Sequence, residues 1–402
     1  MWPVKATTRE TKRPWLTPGV FGIGLASFLA DAGHEVPTAL LPSFLTSTLG
    51  APAAALGLIE GLADGAAGGA RLLGGALADD PERRRRTATG GYIGTAVLAA
   101  LVGLTGAVWQ AALLRIAAWT ARGLRVPPRN ALLADLTEPA NYGRAYGFER
   151  AMDNLGAIAG PLLALLLVVL VGARGAMLLS VVPGLLAAAA IVYAIRQIPH
   201  PKASQRPPLR LQLRPVLHGR LGRLMLGVAA FELGHAAATL LILRATTVLE
   251  PSSGHDAAVR LALGLYVGYN AMATLVSVPA GQAGDRWGAP RVLLIGVVVF
   301  VLAYLGFALG GGLAVLAAAF LAAGAGIGLV ETAENAAVAA LAPAQVRGSA
   351  FGLLAATQGF GQLVASSLAG LLWTAVSPVA AFAYLAALAL LAALGILAAT
   401  AR

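Results

Sequence analysis

Apolar stretches of about twenty residues recur along the chain from Leu16 to the C-terminus, separated by short segments that hold most of the Arg, Asp and Pro. About 20 helical residues cross a ~30 Å hydrocarbon core, and the runs predict about twelve such helices. Their expected starts lie near residues 16, 53, 87, 109, 143 and 174, then near 220, 258, 289, 312, 347 and 378. Membrane strands would alternate polar and apolar over roughly ten residues, whereas these runs are continuously apolar. The expected fold class is an all-α integral membrane protein. The basic start "MWPVKATTRETKRPW" runs into a full span without a small-residue cleavage site, so no removable signal peptide is expected.

Composition agrees with the pattern. With 58% hydrophobic and 12% charged residues and a mean hydropathy of +0.77, the chain has too few polar side chains for a water-soluble domain of this length. Its 49 glycines suit close helix packing. The absence of cysteine excludes disulfides and thiolate metal sites.

The net charge of +11 is a matter of placement. Lys5, Lys12 and Arg13 precede the first span, Arg83 to Arg86 follow the second, and Arg144 follows the fourth. Arg196, Lys202, Arg206, Arg210, Arg214 and Arg220 fill the segment after the sixth, and Arg286, Arg291, Arg347 and Arg402 fall on the same side. By the positive-inside rule, both termini and the long linker are cytoplasmic. The expected organisation is an N-terminal segment 1–15, a six-helix bundle 16–196, a linker 197–219 and a second bundle 220–402. A nucleic-acid partner is excluded by the same placement.

The chain repeats itself. "GALADDPERRRR" after span two and "GQAGDRWGAPR" after span eight both read Gly, three residues, Asp, then a turn with Arg; Asp79 and Asp285 lie 206 residues apart. Gly147 with Gly352, Gly156 with Gly361, and Asn130 with Asn335 share an offset of 205. Asp31, Gly33 and His34 of "DAGH" match Glu232, Gly234 and His235 of "ELGH". Two pseudo-symmetric halves of six spans follow.

A duplicated chain of this length with Gly-x-x-x-Asp loops after spans two and eight resembles the major facilitator superfamily. Gly75, Leu77, Ala78, Asp79, Arg83 and Arg84 match the family's loop, with Asp80 and Glu82 departing from it; the second copy keeps Gly281, Asp285, Arg286 and Gly288, with its arginine late at Arg291. "RVPPRNALLAD" and "HEVPTALLPSFL" also resemble a poorly characterised bacterial branch. The resemblance implies two bundles rocking about a midplane cavity, a monomer, and a cytoplasmic gate built from these loops, to which Arg129 is added. Asp79 and Asp285 are expected to cap a neighbouring helix or to pair with Arg83 or Arg291 in one state and release in the other.

Ionisable residues inside spans mark the candidate site, because a charge at the bilayer centre costs about 2.5 to 3.5 kcal/mol on insertion scales and therefore faces a cavity, pairs or protonates. Asp31, His34 and Glu35 sit mid-span in "FLADAGHEVPTALLPSFL", and Glu232 with His235 repeats them; these are the candidate proton-coupling groups. All three in span one are expected to share a broad face. Span four carries a basic stripe at Arg115, Arg122 and Arg129, with Arg125 beside it, and Arg122 and Arg125 are placed to hold an anionic group. Asp64, Asp153, Asn154, Glu331 and Glu334 complete the candidate solute site. A structural salt-bridge network among these charges is the competing reading.

Other classes fit less well. No metal is expected, although Asp31, His34, Glu35, Glu232 and His235 would be the ligands of a divalent-cation transporter. There is no nucleophile elbow, and no phosphate-cradling loop that would make a nucleotide a partner or the chain an enzyme. The expectation is therefore a multi-pass protein of the cytoplasmic (inner) membrane that needs no cofactor. It moves a small polar or amphipathic solute by proton-coupled alternating access, driven by a proton gradient. Export is slightly favoured, and uptake of an organic anion by symport is an alternative.

Overall fold

The computed structural model describes residues 14–199 and 209–400. Most of the expected N-terminal segment and the middle of the expected linker, with Lys5, Lys12, Arg13, Lys202, Arg206 and Arg402, lie outside the described residues.

The first half comprises α1 (Pro18–Ser43), α2 (Ala53–Ala78), α3 (Pro81–Leu101), α4 (Val108–Leu136), α5 (Tyr142–Leu179) and α6 (Val181–Arg196). A four-residue helix α7 (Leu213–Val216) ends the linker. The second half comprises α8 (Gly219–Glu232), α9 (Ala238–Ser253), α10 (His255–Trp287), α11 (Ala289–Leu309), α12 (Leu313–Leu341), α13 (Arg347–Ala375) and α14 (Pro378–Thr400). Local chemistry sets several of these ends. Thr17 caps α1 by accepting the Val20 amide at 3.3 Å, with Pro18 in the first turn. Asp80 caps α3, accepting the amides of Glu82 (2.8 Å) and Arg83 (2.9 Å) ahead of Pro81. Helix α3 therefore starts at Pro81 rather than near residue 87, and the arginines 83–86 are helical.

The second correction is more consequential. The span expected from residue 220 is broken into α8 and α9 by Leu233–Ala237, within the "FELGH" match. Side chains from neighbouring helices meet the freed amides: Tyr304 Oη accepts from Ala236 (3.3 Å) and Ser366 Oγ from Ala237 (2.8 Å), which is the condition for unwound backbone at membrane depth. Helix α1 bends differently, with Pro37 and Pro42 inside it and a wider π turn at Phe44–Thr48.

By length and composition, six stretches among the described residues are apolar enough to cross a membrane unaided: Pro81–Leu104, Pro139–Arg196 (α5 with α6), His255–Trp287, Ala289–Leu309, Leu313–Leu341 and Pro378–Leu397. Helices α1, α2, α4, α8 with α9, and α13 complete the twelve-helix layout. They are less apolar because they carry the charged and amide residues of the interior.

The halves meet on the linker side. A buried cluster there joins Tyr142 and Tyr146 of α5 to Val338 and Ala339 of α12 and Phe351 and Leu354 of α13, with the Tyr146 and Phe351 rings 5.8 Å apart. Helices α2 and α13 approach so closely that a Cβ on Gly75 would stand 2.7 Å from Gly352 Cα. Toward the opposite end of α2, a Cβ on Gly65, Gly61 or Gly57 would touch nothing within 4 Å. The halves thus separate away from the linker.

Candidate functional site

A cavity of about 230 Å³ lies between the halves. Asp31 of α1, Arg71 of α2, Arg122, Arg125 and Arg129 of α4, and Arg150 and Asp153 of α5 form one wall. Glu232, His235, Glu331, Gln358 and Gln362 form the other.

Glu149, 1% exposed, underlies the cavity through Arg129 and Arg150, which line it. It sits 2.8 Å from Arg129 and 2.7 Å from Arg150, and accepts the Ser27 hydroxyl at 2.6 Å. Asp153 joins both guanidiniums, at 3.3 Å from Arg129 and 3.2 Å from Arg150. Arg150 also reaches Glu331 of the other half at 3.4 Å. Arg129, expected at the gate, meets Ser27 of α1 and Glu149 and Asp153 of α5 in this buried network, and also donates to Asn130 of its own helix at 3.2 Å.

Asp31, His34 and Glu35 do not share one face toward the cavity. Of the three, only Asp31 lines it, although positions three and four apart share a helix face and His34 lies close to both carboxylates. His34 Nδ1 donates to the Ala30 carbonyl at 2.7 Å and stands 3.4 Å from Asp31; its buried Nε2 makes no hydrogen bond and faces Glu35 at 3.6 Å. Arg125 is 4.0 Å from Asp31, its guanidinium over the Tyr92 ring at 4.2 Å. Arg115 holds Glu60 (2.9 Å) and Thr38 (3.1 Å) and stacks on Trp119, whose indole donates to Asp64 at 3.1 Å. Asp64 is thereby tied to α4, and Asn154 donates back to the Arg150 carbonyl of its own helix at 2.8 Å. Neither lines the cavity.

Carboxylates dominate the opposite wall. Glu232 is 3.2 Å from His235. Glu334 does not line the cavity; fully buried, it accepts from Gln358 of the wall at 2.8 Å with one carboxyl oxygen, while the other has no hydrogen-bond partner. Among the described residues no Arg or Lys lies within 4.0 Å of Glu232 or Glu334. No group of three or more His, Asp or Glu among the described residues is arranged to hold a metal ion. The candidate ligands Asp31, His34, Glu35, Glu232 and His235 are divided between α1 and the α8 segment.

Crossed caps close the linker side. Asp79, at the end of α2, accepts the Ser349 amide at 2.9 Å and its hydroxyl, at the start of α13. Asp285, near the end of α10, accepts the amides of Gly143 (2.7 Å) and Arg144 (3.2 Å) at the start of α5. Arg84 pairs with Asp135, which also meets Arg347 at 3.4 Å, and Asn130 donates to Asn335 at 2.9 Å. The aspartates thus cap the opposite half rather than pairing with Arg83 or Arg291. Among the described residues the side chains of Arg83, Arg286 and Arg291 have no carboxylate within 4.0 Å; Arg83 is half-buried, and Arg286 and Arg291 are exposed.

Sequence reasoning passed over Arg71 and did not single out Arg150 for the solute site. A lone arginine inside the Gly- and Ala-rich run "GAAGGARLLGG" was the available signal for the first. Two partners of the second, Glu149 and Asp153, lie on its own helix, and the third, Glu331, comes from α12 of the other half.

A family model described as Major Facilitator Superfamily matches residues 23–250 and 247–402. The chain belongs to this family. Its members are transporters that move solutes across a lipid bilayer, and the chain is accordingly a multi-pass membrane transporter. An uncharacterised MFS-type transporter of Methanocaldococcus jannaschii is 29% identical over 375 residues, covering 92% of each chain. Among solved structures, a bacterial homologue of the iron transporter ferroportin in an outward-facing state is similar in fold. Its TM-score is 0.76 at 17% identity, over 96% of this chain and 100% of that one. The human organic anion transporter MFSD10 gives 0.75 at 16% identity, over 94% and 99%.

Proposed function

We propose that this transporter carries a small organic anion together with a proton by alternating access. The observation that supports it most is a pair of arginines. Arg71 and Arg122 both face the cavity, and among the described residues neither has a carboxylate within 4.0 Å. Arg71 donates to the Ala355 carbonyl at 2.8 Å, and Arg122 stands 5.6 Å from the Trp119 ring. A cation removed from bulk water without a counter-charge is costly, and a guanidinium fork matches carboxylate or phosphate geometry. A bound anion would complete the wall.

Glu232 and Glu334 are the proton carriers of this reading. A carboxylate buried without a cation is stable only when a proton or a cation accompanies it. A proton loaded beside an anion lowers the net charge that must reorient, which moves the balance from the proton exchange expected from the sequence toward symport. The proton gradient is the energy source, no cofactor is required, and a monomer in the cytoplasmic membrane suffices. With the linker on the cytoplasmic side, the crossed caps are the inner gate and the described state faces outward.

The test is a thermal-shift screen of small carboxylates and phosphate esters on the purified protein, followed by flux in proteoliposomes under a pH gradient. An anion should stabilise the native protein but not Arg122→Gln, and Glu334→Gln should bind it while losing the response to the gradient. A neutral or cationic solute that stabilises native protein and Arg122→Gln alike would sink the anion reading.

A further inference from the structure

A second pocket, of about 470 Å³, opens at the linker-side rim of the second half, away from the cavity. The first turns of α8, the α10–α11 turn and the ends of α12 and α14 enclose it. Arg220, Arg223 and Arg291 stand around its mouth, while Leu224, Leu293 and Ile396 line its depth. The arginines are exposed, Leu293 and Ile396 are buried, and Trp287 stands at the rim, 57% exposed. None of the three guanidiniums has a carboxylate within 4.0 Å among the described residues.

Depth and charge together select the occupant. Exposed leucines at 226 and 394 flank the pocket and belong to the lipid-facing surface, whereas Trp287 and the arginines are residues of the membrane interface. The pocket therefore straddles the level where lipid phosphates meet the first acyl carbons. Guanidiniums bind phosphate through paired N–H donors, and basic pockets between helices at this depth suit anionic headgroups. The neighbouring linker is a poor competitor: residues 197–219 contain Lys202, Arg206, Arg210 and Arg214 and no Asp or Glu, so they would repel the three arginines.

We infer that this pocket binds an anionic phospholipid, with its phosphate among Arg220, Arg223 and Arg291 and its upper chain carbons against Leu224, Leu293 and Ile396. The pocket holds the headgroup and the start of the chains, and the remaining acyl length lies along the surface beside Leu226 and Leu394.

Native mass spectrometry of the full-length protein, purified from mixed phosphatidylglycerol and phosphatidylcholine, tests this directly. The native protein should retain phosphatidylglycerol over phosphatidylcholine by at least about tenfold, since each interfacial arginine adds to the attraction. The triple variant Arg220→Gln, Arg223→Gln, Arg291→Gln should lose that preference. If the triple variant does not fold, Arg223→Gln and Arg291→Gln are made singly, and each should lower the preference. Equal retention of both lipids by the native protein overturns the inference, as does a preference unchanged in the variants. Displacement of the lipid by soluble glycerol phosphate also overturns it, because the site would then recognise a free phosphate.

Discussion

Asp79 and Ser349 lie 270 residues apart in the chain, yet Asp79 accepts both the backbone amide of Ser349, at 2.9 Å, and its hydroxyl. The other half repeats the arrangement with Asp285 on Gly143 and Arg144. In each case a carboxylate near the end of one helix meets the amide-bearing, electropositive start of a helix from the opposite half. The gate is a pair of helix caps made across the two bundles, and opening the linker side must break both.

Loss of one cap therefore shifts the conformational balance. A hydrogen bond to a charged group contributes about 1.5 to 3 kcal/mol, so Asp79→Ala should raise the linker-open population on the order of tenfold or more. The chain has no cysteine, so a single Val126→Cys in the cavity lining can report access. Membrane-impermeant maleimide should label it from the side opposite the linker in the native background. With Asp79→Ala, labelling from the linker side should appear, and unchanged sidedness would dismiss the cap as a gate.

Gly75 tests the same gate by volume rather than charge. A methyl group there meets Gly352 Cα at 2.7 Å and the Gly348 carbonyl oxygen at 2.8 Å, and backbone cannot yield as a side chain does. Gly75→Ala should force α2 and α13 apart and produce the linker-open labelling pattern with Asp79 intact. Gly61→Ala, where nothing lies within 4 Å, should leave labelling unchanged. Equal behaviour of the two variants would mean that the close approach does not hold the state.

Much of the fold was legible along the chain because helix ends carry local chemistry. The expected starts at 53, 289, 347 and 378 coincide with those of α2, α11, α13 and α14. Where a cap lay among charges, as at Asp80 and Pro81, hydropathy set the start too late. The break after Glu232 was hidden because its stabilising partners, Tyr304 and Ser366, come from distant helices. The candidate site divides in the same way. Asp79 and Asp285 stood out through the internal repeat, whereas Ser349 and Gly143 could not be read as their partners. Periodicity put Arg129 in a basic stripe, and only packing shows that α1 and α5 satisfy it.

The network beneath the cavity should behave as structure. Glu149 is buried between Arg129 and Arg150, and removing one member of such a group leaves an uncompensated charge, at a cost of about 3 to 5 kcal/mol. Glu149→Gln should therefore lower the unfolding temperature markedly in detergent. A variant of native stability that lost only transport would instead assign Glu149 to the transport chemistry.

Arg71 and Arg122 should respond in the opposite sense, and the contrast separates a binding wall from a structural one. No carboxylate within 4.0 Å is orphaned when either charge is removed, so Arg71→Gln and Arg122→Gln should unfold at or slightly above the native temperature. Each variant should bind the transported anion roughly 10- to 100-fold more weakly, the loss of one charge-assisted contact of about 1.5 to 3 kcal/mol. Arg122→Lys should recover part of that affinity, because it restores the charge without the planar fork. The two readouts together are decisive. Destabilisation of both variants by several kcal/mol would place these arginines with Arg129 and Arg150 in a structural lattice, and would remove the main support for an anionic solute.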